Sequence, residues 1–139
     1  MVILGLDPDK GWAFVRYHKI VSAGTVKGMA ALKKIISDVG TYARNRSIDL
    51  LVRIEKPTNL KVFPRPGLSQ LAMLKVARNV GQNYEKAESL GRLCASLGLS
   101  YEFCAPARKK ITARELKQMT GFTRRTSQHA RDAIVLALR

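Results

Sequence analysis

Four residues of this chain carry side chains that hold cations or move protons and stand at the margins of apolar segments: Asp7, Glu55, His129 and Asp132. Asp7 ends the run Met1–Leu6, rich in Val, Ile and Leu as a strand covered on both faces would be. The turn Asp7-Pro8-Asp9-Lys10-Gly11 then stops that strand. A carboxylate there sits where core meets solvent and can bind a cation without full burial; it can equally do no more than open the turn. Glu55 ends a second apolar run, Leu50-Leu51-Val52-Arg53-Ile54. His129 and Asp132 recur three residues apart and Leu136 four further on, so they share one helix face. A carboxylate beside a buried face needs a partner, and a metal shared with Asp7 and Glu55 would supply one. A lone histidine in that place can also be a capping or surface residue.

The segments between these points must bring them together. Trp12–Tyr17 and Lys19–Val26 read as the second and third strands of an antiparallel meander, with Ser22-Ala23-Gly24 as a weak point. Met29, Leu32, Ile36, Val39 and Ala43 then recur at helical spacing, with Lys33, Lys34, Arg44 and Arg46 opposite, predicting a helix of about four to five turns. A strand reached through one crossover helix runs parallel to the strand it left, so Asp7 and Glu55 are expected at one edge of the sheet. Open α/β sheets place their sites at that edge. Parity agrees, since Ile3, Gly5 and Asp7 share one strand face and Leu51, Arg53 and Glu55 share one face of the other. Arg53 offers a competing arrangement, an ion pair with Glu55 that would make both residues structural.

From Leu68 to Leu97 a long helical pattern follows with two apolar stripes, one on Val80, Tyr84, Ala87, Gly91 and Cys94, the other on Leu90, Leu93 and Leu97. One stripe would cover the sheet and the other could meet a second subunit, although burial within the chain is the default. Leu99–Cys104 is expected as a final short strand closed by Pro106. Thr112 with Glu115 makes a capping box for a short helix ended by Gly121. Thr126 or Ser127 can cap a last helix, Gln128–Leu138. Residues 1–139 are expected to form a single α/β domain.

Charge indicates the partner. With 25 Lys and Arg against 10 Asp and Glu the formal net charge is +15, and so basic a domain calls for a polyanion, nucleic acid first. Lys56–Arg78 holds five basic residues, no acidic one and three prolines. Lys61 and Arg65 there could follow a phosphate backbone, with Phe63 stacking on bases or simply anchoring the loop. Beyond Pro106, nine Lys and Arg face only Glu115 and Asp132. No 18-residue apolar run and no signal peptide is present, so a soluble, cytoplasmic protein is expected, with no membrane partner. Cys94 and Cys104 lack metal-type spacing, and with His18 and His129 as the only histidines no ordinary zinc site is expected.

Gly5-Leu6-Asp7-Pro8, the strand ending in Ile54-Glu55 and His129-Ala130-Arg131-Asp132-Ala133, in this order and spacing, resemble the RuvC-type Holliday junction resolvases of the RNase H-like nuclease superfamily. The likeness runs over nearly the whole chain, including Gly91-Arg92 and Tyr101–Pro106. It implies an RNase H-like mixed sheet, antiparallel meander plus parallel strands, flanked by helices. It also implies a crossover junction endodeoxyribonuclease of DNA recombination and repair, a homodimer acting on four-way junction DNA by paired phosphodiester hydrolysis. Asp7, Glu55, His129 and Asp132 match the family's metal-binding catalytic set, with His129 where members carry Asp or His. Lys110 falls near a basic residue beside the cleaved phosphate, and Lys61, Phe63, Arg65, Lys109, Arg124 and Arg125 complete the expected DNA-binding set. The cofactor would be Mg²⁺ or Mn²⁺, two ions per site, with no small-molecule cofactor. Asp7 would bridge them, Glu55 and Asp132 would hold one each, and a nitrogen ligand from His129 tilts the site towards Mn²⁺. The protein would work in the cytoplasm, associated with the nucleoid, or in a host cytoplasm if viral.

Departures from the family pattern are local. The family turn reads Asp-Pro-Gly followed by Ser or Thr, whereas Asp9 and Lys10 stand here and the turn is about two residues shorter. The stretch from Pro106 to His129 is also shorter than in bacterial members. Two other functions fit the residues: another RNase H-like nuclease acting on flaps, hybrids or single strands, and a non-catalytic nucleic-acid-binding domain whose acidic residues are structural.

Overall fold

The computed structural model describes residues 1–57, 67 and 69–139. Five strands, β1 (Val2–Asp7), β2 (Gly11–Arg16), β3 (Lys19–Thr25), β4 (Leu50–Glu55) and β5 (Ser100–Cys104), form one sheet in the order β3-β2-β1-β4-β5. The first three are antiparallel to one another in sequence, while β4 runs parallel to β1 and β5 parallel to β4. This is the expected meander followed by the crossover. The Ser22-Ala23-Gly24 stretch stays in β3, each residue paired with β2, and the irregularity falls between Phe14 and Val15 as a bulge.

Helices α1 (Met29–Asn45), α2 (Gln70–Ser96), α3 (Ala113–Thr120) and α4 (Gln128–Leu138) complete the described elements. One sheet face packs Leu4, Leu6, Val52 and Ile54 against Leu32 and Ile36 of α1 and Ala87, Leu90 and Cys94 of α2. The other packs Ala13 and Val15 against Ala133, Ile134 and Ala137 of α4 and Leu116 of α3. Each fully buried Leu or Ile contributes roughly 1.5–3 kcal/mol, so these two layers hold the strand ends in place.

Helix α4 lies unusually close to the sheet. A Cβ on Gly5 would stand 2.2 Å from the carbonyl oxygen of Ala133, and one on Gly11 would stand 2.1 Å from that of His129. Main chain therefore meets main chain at two points, a separation that no other residue type allows. The helix begins at Ser127, whose hydroxyl accepts a hydrogen bond from Ala130 N–H. The capping box predicted for α3 is present, with Thr112 and Glu115 exchanging bonds, and Gly121 ends that helix at φ 73°.

Two features refine the sequence reading. Leu90 is fully buried and Leu93 packs on the same core, so the stripe assigned to a second subunit faces the sheet. Gly91 makes this possible, since a Cβ there would meet the Phe103 ring at 2.7 Å. The large apolar side chains that α2 exposes are instead Leu71 (79%) and Leu74 (63%), and no residue of α2 before Ala87 is buried. Two arginines of the basic C-terminal segment are structural rather than free. Arg131 donates to the carbonyls of Ile111 and Thr126 and to the Gln128 amide oxygen, tying the preceding connection to α4. Arg139 donates to the carbonyl of Ala105.

Candidate functional site

Asp7 and Glu55 end neighbouring parallel strands and, by parity, lie on the face that α4 covers. His129 and Asp132, in the first half of α4, come down onto the same edge because Gly5 and Gly11 seat the helix there. The chain thus brings all four sequence-predicted residues to one end of the sheet. Asp7 and Asp132 are buried polar residues, with only 7% and 6% of their surface exposed.

Their contacts divide the site into two halves. His129 Nδ1 stands 2.7 Å from Asp7 Oδ2, while the backbone N–H of Asp9 donates to Asp7 Oδ1 at 3.1 Å. The other imidazole nitrogen, Nε2, is 3.4 Å from Asp9 Oδ2. Asp132 accepts from Lys110 Nζ at 2.5 Å and from the Gln128 side-chain amide at 2.9 Å. Glu55 lies between these halves electrostatically: burial, then the negative charges of Asp7 and Asp132, push its carboxyl above the ordinary carboxylate range against the pull of Lys110 and Arg139. Burial works against the Lys110 ammonium, but the bond and charge of Asp132, with Glu55 and Asp7, outweigh it and raise its pKa.

Arg53 does not pair with Glu55. Its Nε donates to Glu102 Oε1 at 2.7 Å, straight across the β4–β5 register, and its Nη1 donates to the carbonyl of Arg139 at 2.7 Å. Arg53 therefore binds the C-terminal end of α4 to β4 and leaves Glu55 to the site. Lys56, the next residue after Glu55, bonds to Glu88 of α2 and stands 4.3 Å from the ring centroids of both Tyr84 and Phe103. This cation between two aromatic faces ties α2 to the strand end.

Among the described residues no group of three or more His, Cys, Asp or Glu is close enough to hold a metal as placed. In kind, however, the donors suit a hard divalent cation: three carboxylates and one imidazole, with Glu55 raised first by burial and then by its Asp7 and Asp132 neighbours. Burial pushes the Cys94 thiol up to about 11 and raises that of Cys104 too, consistent with two inert thiols.

Of the residues expected to touch DNA, Lys109 pairs with Glu115 at 3.0 Å while its side chain remains 80% exposed. Lys110 pairs with Asp132 while its side chain remains 55% exposed, and Arg124 and Arg125 are exposed. Lys61, Phe63 and Arg65 lie outside the described residues. Sequence reasoning missed Gln128, although its place four residues before Asp132 is the spacing at which Gln and Asp side chains bond on a helix. It also missed Asp9 as a neighbour of His129, having treated that residue only as part of the turn.

The strand order, the mixed orientations and the helices on both faces define an RNase H-like α/β fold. The structure of Thermus thermophilus RuvC superimposes on this chain with a TM-score of 0.55, covering 99% of this chain and 92% of that one, at 16% identity. That likeness is one of fold. No family model matches the chain, and no curated protein matches its sequence significantly. Among the described residues no helix is long and apolar enough to cross a membrane.

Proposed function

We propose that this chain is a single RNase H-like nuclease domain that resolves four-way DNA junctions by paired phosphodiester hydrolysis with Mg²⁺ or Mn²⁺. The observation that carries the reading is the meeting of Asp7, Glu55 and Asp132, from two strands and a helix, beside a strongly basic segment. Burial first, and then the nearby Asp7 and Asp132 carboxylates, disfavour the charged form of Glu55. Such an arrangement makes sense where a cation is to be held. Asp7, Glu55, Asp132 and His129 would hold the metal, which when bound supplies Lewis-acid stabilisation of the phosphoryl charge.

The chain's own residues do the rest. Asp9 N–H and the seat of α4 orient Asp7, and Gln128 orients Asp132. Lys110 keeps a positive charge at the site that can face the scissile phosphate. Water adds at phosphorus and the 3′ oxygen leaves with a proton, giving 5′-phosphate and 3′-hydroxyl ends. Lys109, Arg124 and Arg125, with Lys61, Phe63 and Arg65, would hold the duplex arms. A second copy of the chain would cut the opposing strand, docking through Leu71 and Leu74 rather than Leu90 and Leu93.

The ion pair of Asp132 with Lys110 and the hydrogen bond between Asp7 and His129 favour a second reading, a nucleic-acid-binding domain in which these carboxylates are structural. One experiment separates the two. A labelled four-way junction is incubated with the protein in Mg²⁺, Mn²⁺ or EDTA; metal-dependent symmetric cuts support the resolvase, single nicks in flaps or hybrids support another nuclease, and binding without cutting supports the structural role.

A further inference from the structure

The hairpin joining β2 to β3 has a loop of two residues, Tyr17 and His18, since Arg16 pairs with Lys19. Both are left-handed, with φ 51° and 60°, which makes a type I′ turn. Asn-Gly or Gly-Gly satisfies such a turn without strain, whereas at Tyr17 a bulky aromatic side chain holds a disfavoured backbone. Strain of this kind persists where the surrounding register imposes it, and it clusters at functional sites. Tyr17 is 69% exposed and belongs to neither core. The Arg16 guanidinium lies 5.1 Å from the centroid of its ring.

The surroundings are cationic. Arg16, His18 and Lys19 are exposed, and no Asp or Glu occurs from Lys10 to Ser37. Beside the tip runs an open groove of about 540 Å³ lined by Ile20, Met119 and Phe122 together with His18 and Lys19. Arg124 and Arg125 follow Phe122 by two and three residues. The register sets the tip apart from the carboxylates, because Val2 pairs with Arg16 while Asp7 pairs with Gly11. It therefore stands at the far end of β1, roughly 17–20 Å from Asp7 at the rise of a strand.

We propose that the Arg16–Lys19 hairpin tip is a second nucleic-acid contact, with Tyr17 stacking on a base or sugar and Arg16 and Lys19 meeting phosphates. It would engage the substrate roughly six base pairs from the carboxylates. Charge favours nucleic acid over a protein partner, since a basic tip with an exposed aromatic ring matches a polyanion that has flat faces. The inference rests on the nucleic-acid half of the reading above and not on the cleavage half.

The test exploits the strain. In the double variant Tyr17→Asn/His18→Gly the turn is relaxed, so the melting temperature should rise or hold. Affinity for a labelled four-way junction, followed by anisotropy, should nevertheless fall by roughly threefold to tenfold. Arg16→Ala/Lys19→Ala should flatten the slope of log affinity against log salt by about two. Cleavage per bound complex should not change in either variant. An unchanged affinity and salt slope in folded variants would overturn the hairpin contact alone. If the unaltered protein binds no nucleic acid, both this inference and the proposed function fall. A change of mass in light scattering at unchanged affinity would make the tip a self-interface and overturn the inference.

Discussion

His129 Nδ1 and Asp7 Oδ2 stand 2.7 Å apart, joining the last helix to the first strand across 122 residues of chain. The second imidazole nitrogen, Nε2, faces Asp9 Oδ2 at 3.4 Å. A histidine held between two carboxylates is oriented, and orientation is what a ligand needs before a metal arrives.

We therefore expect Asp7→Asn to abolish cleavage while leaving junction affinity within about twofold, because it removes one ligand charge and little of the basic surface. Gel shift and product analysis on the same preparation check both halves. His129→Asp should keep activity and can alter metal preference, whereas His129→Ala, which removes a ligand, should weaken metal binding measured by calorimetry.

Glu55 makes a prediction about pH. Its folded-state pKa is raised by burial and by Asp7 and Asp132, so its contribution is fully favourable below the unfolded value and is lost as pH rises through the folded value. In EDTA, Glu55→Gln should raise the melting temperature at pH 7, and the gain should vanish near pH 4, where unfolded glutamate is itself protonated. A variant less stable than the parent at pH 7 would contradict the crowding of carboxylates.

The two kinds of arginine in the basic segment should separate cleanly. Removing Arg124 or Arg125 should leave stability within about 0.5 kcal/mol and flatten the salt dependence of DNA binding by about one per residue. Arg131→Ala should instead lower stability by roughly 2–4 kcal/mol, since its guanidinium satisfies two backbone carbonyls and the Gln128 side chain. Denaturant unfolding and anisotropy at several ionic strengths distinguish them.

The outer surface of α2 should govern assembly. Leu71→Lys/Leu74→Lys is expected to give a folded monomer that nicks a cruciform plasmid without linearising it. Leu90→Lys should unfold the protein, because emptying such a position alone costs about 2–5 kcal/mol and the lysine adds a buried charge. A monomeric parent on junction DNA would rule the dimer out.

The strands, the crossover and the edge that collects Asp7 and Glu55 were legible because they follow from local periodicity and the parity of a pleated strand. The caps of α3 and α4 were legible for the same reason, since Thr112, Glu115 and Ser127 act within four residues of themselves. What escaped depends on distant parts of the chain. Arg53 chooses Glu102 over Glu55 only because β5 lies beside β4. Arg131 looks like any other surface cation until Ile111 and Thr126 fold back on α4. The second stripe of α2 stayed open between the sheet and a second subunit because only the fold shows that Gly91 lets both stripes reach the sheet and its aromatics, leaving the exposed leucines in the first turns.

The contact of Gly5 and Gly11 with α4 has a consequence for how freely the rest of the molecule can vary. Where main chain rests on main chain, the gap is set by the radii of backbone atoms, which substitution cannot change, and not by side-chain volumes, which it can. Exchanges such as Ile134→Val beneath the same helix should cost about 0.5–1.5 kcal/mol yet leave the span from Asp7 to Asp132 where it was. Adding a single methyl at Gly5 or Gly11 should do the reverse and displace the helix carrying half of the site. The carboxylate geometry is in this sense insulated from drift in the surrounding core, with two hydrogen atoms as its fixed stops.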